Sequence, residues 1–152
     1  MNDETRQKIR DTLVRLLSRR EHSVSELQFK LQGRGYEQQD IAPEIQRLTD
    51  LKLQSDQRFA EVFVRNAISK GQGKMRIQQE LKAHNLLPQW VTAAFAEQET
   101  DWFELAKQVH DKKFTSDKML KAKEKHKHIR YLQYRGFDTE QIKYACRCRY
   151  QG

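Results

Sequence analysis

The sequence lacks the residues and runs that mark membrane-spanning, secreted or metal-binding proteins. No apolar stretch approaches the roughly 18 residues that a membrane-spanning helix needs, and the first residues lack the basic-then-apolar order of a secretory signal. There are only two cysteines, Cys146 and Cys148. A Cys-x-Cys pair in a helix points its thiols to different faces, so we expect neither a disulfide nor a metal site, and we expect Cys146 to pack in a small core. These absences favour a soluble, cytoplasmic protein.

Motifs of catalysis are also missing. No Ser/His/Asp set, paired-carboxylate motif or Cys–His motif is recognisable in the sequence. The five histidines are scattered: we expect His22, His84 and His110 beside helix ends or on polar faces, and His126 and His128 on different faces of one helix. We therefore predict that the protein is not an enzyme and carries no metal or cofactor.

One short loop has part of the pattern of a phosphate-binding turn. The segment 70–74 (Lys-Gly-Gln-Gly-Lys) places two glycines before a predicted helix, where backbone N–H groups bind anions in some proteins. It lacks the preceding strand and the Gly-Lys-Ser/Thr ending of a P-loop. An interhelical turn is the favoured interpretation, with Lys74 and Arg76 still able to contact a phosphate or a carboxylate.

What the chain does have is a pattern that occurs three times. A Leu is followed four residues later by Gly or Asn and then by a large apolar residue, at offsets of 50 and 51 residues: Leu31–Gly35–Tyr36, Leu81–Asn85–Leu86 and Leu132–Gly136–Phe137. Gly and Asn most readily enter the left-handed conformation that ends a helix. The Leu and the second apolar residue then occupy the positions that pack together in a Schellman ending. A period of this size over nearly the whole chain predicts a repeat protein.

The repeats predict an all-α protein. Hydrophobic residues make up 37% and charged residues 33% of the chain, which suits an elongated tandem array of thin modules better than one thick core. Apolar residues at helical spacing indicate three helices in each copy. We place the three-helix repeats, each of about 50 residues, at 1–54, 55–100 and 101–152.

Local signals predict where several helices begin. Ser23 with Glu26, and Asp138 with Gln141, fit capping boxes. Asp56 is the predicted cap of the fourth helix. Pro43 requires the third helix to start near Asp40, because a proline is tolerated in the first turn of a helix.

Positive charge is concentrated in the last repeat. Residues 101–152 carry 13 Lys or Arg against 7 Asp or Glu, and so hold +6 of the net charge of +8. A long helix is predicted from about Asp117 to Arg135. The residues of this helix predicted to face its own module are Met119, Ala122, His126 and Ile129.

Two ridges of like charge flank that stripe, and Glu124 is the only acid between residues 118 and 130. Because like charges at helical spacing repel each other, rows of cations with almost no acid in the same stretch of sequence indicate contact with a polyanion or an acidic protein surface. A solvated helix face remains the alternative. The ridges are Lys118–Lys121–Lys125 and Lys123–Lys127–Arg130, and Arg135, Lys74 and Arg76 complete the candidate partner-binding residues.

With the repeats in place, the chain resembles the RecX family, bacterial modulators of the recombinase RecA. The resemblance spans nearly the whole chain and preserves the order and spacing of four stretches. They are Arg19 to Leu27 with Lys30-Leu31, Leu53 to Ala60, Lys70-Gly71-Gln72-Gly73 through Leu81, and Arg130 to Phe137.

The resemblance implies a curved rod of three-helix modules that binds along the groove of a RecA–single-stranded-DNA filament and restrains its growth and activities. A monomer is expected, and direct contact with single- or double-stranded DNA is left open. The rival interpretations are a stand-alone nucleic-acid-binding protein that acts through the basic third repeat, and a helical scaffold for another protein. Family resemblance transfers no catalytic residues, and the roles of the basic residues are our own inference.

Overall fold

The structure is a computed structural model that describes residues 2–114 and 122–147. Nine α-helices and no strand occupy these two ranges, in three consecutive sets of three, which confirms the all-α repeat prediction. They are α1 (Asp3–Arg19), α2 (Val24–Gly33), α3 (Gln38–Asp50), α4 (Asp56–Ser69), α5 (Lys74–Leu81), α6 (Pro88–Gln98), α7 (Trp102–Lys113), α8 (Ala122–Arg135) and α9 (Thr139–Arg147). None of these helices, as far as they are described, is long and apolar enough to cross a membrane.

The described residues form two compact units. Unit 1 comprises residues 2–63 with Leu81–Ala94, and unit 2 comprises Val64–Glu80 with the described residues from Phe95 onwards. The second repeat therefore contributes residues to both units. The repeat boundaries 1–54, 55–100 and 101–152 stay a prediction.

The core of unit 1 lies among α1, α2 and α3. Each of these helices buries apolar residues spaced three or four apart, which is the spacing that keeps them on one face. Burying one such side chain contributes roughly 1.5–3 kcal/mol relative to leaving it exposed. The core residues are Ile9, Leu13, Leu16, Leu27, Leu31, Ile41, Ile45 and Leu48.

The core of unit 2 lies among α7, α8 and α9 and consists of Ala106, Leu132, Phe137, Ile142, Ala145 and Cys146. The predicted burial of Cys146 is confirmed. The capping box at the start of α9 is also confirmed. The Asp138 carboxylate accepts a hydrogen bond from the Gln141 N–H at 2.8 Å, and the Gln141 side-chain oxygen accepts one from the Asp138 N–H at 3.0 Å.

The three predicted helix stops have the expected conformation. Their φ angles are 95°, 52° and 100° at Gly35, Asn85 and Gly136. The N–H of Tyr36 donates to the Leu31 carbonyl at 3.3 Å, and the N–H of Phe137 donates to the Leu132 carbonyl at 3.1 Å, as a Schellman ending requires. In the second copy a 3-10 turn, Lys82–His84, separates α5 from Asn85.

Two predicted helix starts are wrong. Helix α3 begins at Gln38 rather than near Asp40, so Pro43 is its sixth residue and lies beyond the first turn. Asp56 is the first residue of α4 and not its cap. The Ser55 hydroxyl takes the capping position by accepting from the Arg58 N–H at 3.1 Å, while the Asp56 carboxylate accepts from the Val24 N–H at 2.9 Å.

The predicted capping box at α2 is half formed. The Ser23 hydroxyl accepts from the Glu26 N–H at 3.1 Å, but the Glu26 carboxylate does not close the box. It pairs with the Arg20 guanidinium, which donates to it at 3.1 Å. Burial disfavours the charged form of Glu26, and the hydrogen bond and charge of Arg20 outweigh this effect and lower the pKa of Glu26. The Glu26 carboxylate therefore accepts from the charged Arg20 guanidinium instead of from the backbone N–H that a capping box would offer it.

Candidate partner-binding surfaces

Helix α8 presents a basic face in unit 2, and Ile129 of its predicted inward stripe packs against the core as expected; of the described side chains in that stripe, only the histidine differs from the prediction. His126, predicted to face the core, is exposed, while His128 is 3% exposed. The reason is that His128 finds partners inside the unit: its Nδ1 lies 2.8 Å from His110 Nε2, and its ring stacks on Phe114 at 3.5 Å between centroids. A buried polar ring is stable when it is hydrogen-bonded and packed in this way.

The exposed side of α8 carries Lys127, Arg130 and Tyr134, which are three or four residues apart and therefore share one face. Tyr134 is 72% exposed. The guanidinium carbon of Arg76 lies 5.0 Å from the centroid of the Tyr134 ring, which adds a further cation to this face. We call these four residues, Arg76, Lys127, Arg130 and Tyr134, the α8 basic face.

The remaining residues of the predicted ridges are placed as follows. Lys125 is exposed, as the first ridge requires. Lys118 and Lys121, and the side chain of Lys123, lie outside the described part of the chain. The second ridge is thus represented by Lys127 and Arg130, and these two residues belong to the α8 basic face.

The other candidate residues of unit 2 also have contacts within the fold. The Lys74 ammonium lies 5.4 Å from the centroid of the Phe95 ring. Arg76 Nε donates to Glu80 at 3.0 Å, and this hydrogen bond raises the pKa of Arg76 further above its ordinary value. The Arg135 guanidinium donates to the Lys70 carbonyl. Lys74, Arg76 and Arg135 therefore make contacts that hold the fold of unit 2, in addition to adding positive charge to its surface.

The loop at 70–74 is an interhelical turn, as the sequence favoured. Its N–H groups are already used: Gly71 donates to the Ile68 carbonyl at 2.9 Å, and Gly73 donates to the Arg135 carbonyl at 2.7 Å. A phosphate-binding turn needs N–H groups that point at the ligand. The Gly73 and Gly71 N–H groups therefore do not form an anion site.

The histidines lie beside helix ends, as predicted: His22 precedes α2, His84 ends the turn after α5, and His110 is in the last turn of α7. Their burial was not predicted: His22 and His110 are 2% and 0% exposed, and His84 packs against Phe59 at 4.5 Å between ring centroids. Burial of a polar ring depends on a partner far along the chain, which local spacing does not reveal. Among the described residues, no group of three or more His, Cys, Asp or Glu is arranged to hold a metal ion.

The fold and the basic face define a class of protein, a tandem array of three-helix repeats with a cationic surface in its last repeat. Sequence models of the first, second and third three-helix domains of RecX match residues 5–48, 55–98 and 99–146. The chain therefore belongs to the RecX family, which confirms the resemblance drawn from its motifs.

Individual relatives agree with this assignment. The regulatory protein RecX of Vibrio vulnificus is 45% identical over 136 residues, spanning 90% of this chain and 89% of that protein. The regulatory protein RecX of Chromohalobacter salexigens is 43% identical over 136 residues, spanning 90% and 89%. The crystal structure of RecX from Lactobacillus salivarius matches with a TM-score of 0.74 at 20% identity, covering 96% of this chain and 97% of that chain, a likeness that shows the fold alone.

Proposed function

We propose that this protein is a cytoplasmic, monomeric regulator of RecA, mainly an inhibitor, that binds in the groove of the RecA–single-stranded-DNA filament. By this contact it restrains filament extension, ATP hydrolysis and strand exchange. Membership of the RecX family, with all three domain models matched in order, is the observation that carries the proposal.

The charge distribution supports a filament as the partner. A nucleoprotein filament displays phosphates and acidic protein side chains, both of which attract cations. Lys127 and Arg130 are exposed and adjacent on α8, with Tyr134 and Arg76 beside them. We propose that the α8 basic face makes this contact.

A stand-alone nucleic-acid-binding protein is the second candidate, because the same basic face attracts phosphates without RecA. The distribution of charge along the chain weighs against it. Residues 1–100 hold only the remaining +2 of the net +8, whereas a protein that follows phosphates along its whole length needs cations throughout.

Co-sedimentation with preformed RecA filaments, compared with naked single-stranded DNA at physiological salt, tests the proposal. We expect preferential recovery with the filaments. The protein alone should show no ATP turnover, and it should alter turnover only when RecA is present. Equal recovery on naked DNA would favour the nucleic-acid-binding alternative.

A charge-reversal pair tests the surface. Lys127→Glu with Arg130→Glu should weaken filament binding and reduce its dependence on salt, since fewer favourable ionic contacts remain to be screened. The matched control is Arg15→Glu with Arg19→Glu, which makes the same change of charge at two exposed residues of α1. If both pairs keep full helicity and inhibit RecA like the parent, the α8 basic face is only a solvated surface.

A further inference from the structure

A concave cavity of about 680 Å³ lies within unit 2, formed by the end of α4 and the following loop, by α7 and by α8. This volume falls within the range of roughly 300–1,000 Å³ that small-molecule sites occupy. Its walls combine two kinds of side chain. Apolar groups come from Ile68, Leu105, Val109 and Tyr131, and cations come from Lys70, Lys112, Lys113 and Arg135.

No acidic side chain is among the described residues that line this cavity. Four cations that converge without an acid repel one another, an arrangement that a merely structural surface would avoid. Asp111, which neighbours them in sequence, is 3.0 Å from His110 Nδ1 through its carboxylate. Among the described lining residues, the charged side chains are therefore all cationic, which suits a concentrated negative charge.

The fold holds two of these cations in place. The Arg135 guanidinium donates to the Lys70 carbonyl, while Arg135 Nε is buried and has no acceptor among the described residues. The Lys113 ammonium lies 5.4 Å from the centroid of the Tyr131 ring, a favourable cation–π distance. The Arg135 guanidinium is thus held in place by one hydrogen bond and still has a donor to offer a ligand. The Tyr131 ring lies beside the Lys113 ammonium group.

We propose that this cavity binds a nucleotide, with its phosphate among the four cations and its base against the apolar wall. A phosphate places more charge on one centre than a carboxylate does, which matches a cluster of cations better. A flat base can pack against an aromatic or apolar wall whichever of the four bases it is. The nucleotide comes either from solution or as one unit of a single-stranded DNA. This site needs no contact with RecA, and its lining shares no residue with the α8 basic face.

Fluorescence anisotropy without RecA tests the proposal with labelled ADP and labelled oligo(dT), and with inorganic phosphate and polyglutamate as competitors. Saturable binding of ADP supports the site and identifies free nucleotide as the source. Saturable binding of oligo(dT) alone supports it and identifies the DNA strand. Phosphate should compete at least about tenfold more weakly than nucleotide, because it cannot use the apolar wall. Equal competition by phosphate or stronger competition by polyglutamate would overturn the nucleotide assignment.

Matched charge reversals separate the cavity from general attraction. Lys70→Glu with Lys112→Glu should weaken nucleotide binding by about tenfold or more, since the loss of each ionic contact raises the dissociation constant several-fold. The control is Arg65→Glu with Lys107→Glu. It makes the same change of charge at α4 and α7, at residues that do not line the cavity. An equal loss in both pairs shows non-specific attraction and sinks the proposal.

Amide NMR on the unaltered protein gives a readout that does not depend on how the variants fold. Addition of ADP or oligo(dT) should shift the Gly71 and Val109 amides and leave Leu27, in the core of unit 1, unchanged. Shifts confined to other residues, or none at saturating ligand, would show that the cavity is not the site. Neither result bears on RecA binding, which is measured with filaments and the Lys127/Arg130 pair.

Discussion

Two junctions, one in each compact unit, use equivalent positions of the repeat and different chemistry. Each joins the start of the second helix of one repeat to the end of the second helix of the next repeat. Offsets of 50 and 51 residues relate the two sets of positions: Ser23, Ser25, His84 and Asn85 in unit 1, and Gly73, Met75, Arg135 and Gly136 in unit 2.

Side chains form the junction in unit 1. The Ser23 hydroxyl lies 2.7 Å from His84 Nδ1, and the Asn85 side-chain amide donates to the Ser25 hydroxyl at 3.1 Å. The Ser23 hydroxyl also accepts from the Glu26 N–H, so one oxygen caps α2 and binds the next repeat. Loss of that oxygen removes both interactions.

Backbone groups form the junction in unit 2. The Gly73 N–H donates to the Arg135 carbonyl at 2.7 Å, and the Met75 N–H donates to the Gly136 carbonyl at 3.2 Å. A Cβ atom at Gly73 would lie 2.4 Å from the carbonyl carbon of Gly136. Gly73 and Gly136 therefore allow the two backbones of unit 2 to touch. At the equivalent positions of unit 1, Ser23 and Asn85 carry Cβ atoms, and side-chain hydrogen bonds make the junction instead.

The largest effect should come from Gly136→Val. The substitution puts a β-branched residue at φ of 100° and a Cβ atom 2.4 Å from the Arg76 Cβ. Backbone strain and overpacking together should cost roughly 3 kcal/mol or more. Hydrogen exchange should show loss of protection in α5, α8 and α9, while α1 to α3 keep theirs.

Two glycines of unit 1 separate the causes of that loss. Gly35→Val imposes similar strain at φ of 95°, but no atom of the described residues, its chain neighbours aside, lies within 4 Å of the added Cβ, so it should cost less than Gly136→Val. Gly33→Ala adds neither strain nor a clash and should stabilise α2 by up to about 1 kcal/mol. Equal losses at Gly136 and Gly35 would show that the backbone contact to Arg76 is not tight.

Exchanging the junction residue should have the next largest effect. Gly73→Ser introduces the residue that unit 1 uses, and its better helix capping is worth a few tenths of a kcal/mol. The Cβ contact with the Gly136 backbone should outweigh this gain and cost roughly 1–3 kcal/mol. Protection of the Met75 and Ile77 amides from exchange measures the result, and a stabilised α5 would contradict it.

The sequence predicted the ends of these helices better than the junctions between them. Left-handed stops at Gly35, Asn85 and Gly136 follow from local conformational preference, which needs no distant partner. The junction contacts join residues about sixty positions apart in the sequence, so no local pattern reveals them. The one signal in the sequence is that Gly73 stands in the position of Ser23, 50 residues further on.

The α8 basic face was predicted only in part, again because local patterns do not reveal contacts between distant residues. Lys127 and Arg130 are exposed on α8 as expected, because a run of charged residues rarely packs inward. The inward stripe was misassigned at one residue, because His128, with a partner at His110, is buried in preference to His126. Ile129 packs against the core as predicted. The cavity lined by Lys70, Lys112 and Arg135 draws on three separated segments and was not predicted.

Removal of the Ser23 hydroxyl, which both caps α2 and contacts His84, should lower stability less than the Gly136→Val and Gly73→Ser substitutions do. Ser23→Ala deletes the cap of α2 and the contact with His84, and should cost about 1–2 kcal/mol. The control Asp101→Ala deletes a cap for which the described residues show a single side-chain hydrogen bond, from the Glu104 N–H at 3.1 Å, and should cost less. Protection of the Leu27 amide measures the first variant, and equal costs would show that the His84 contact contributes nothing.

The smallest effect should come from pH, which acts on the junction of unit 1 through a histidine. Burial lowers the pKa of His84 and outweighs the opposing charge of Glu26, and burial likewise lowers the pKa of His22. The Ser23 hydroxyl, which accepts from Glu26, is placed to donate to neutral His84 Nδ1.

Because the unfolded chain binds protons more readily than these buried rings, stability is complete above the unfolded pKa of about 6.5 and falls as pH drops through it. Arg135 occupies the position of His84 in unit 2. Protection of the Glu26 amide, corrected for the intrinsic exchange rate, should therefore fall between about pH 7.5 and 5.5. His84→Gln should reduce that fall, leaving the part due to His22, whereas His126→Gln, at an exposed ring, should leave it unchanged. An identical pH response in the parent and in His84→Gln would remove His84 as its cause.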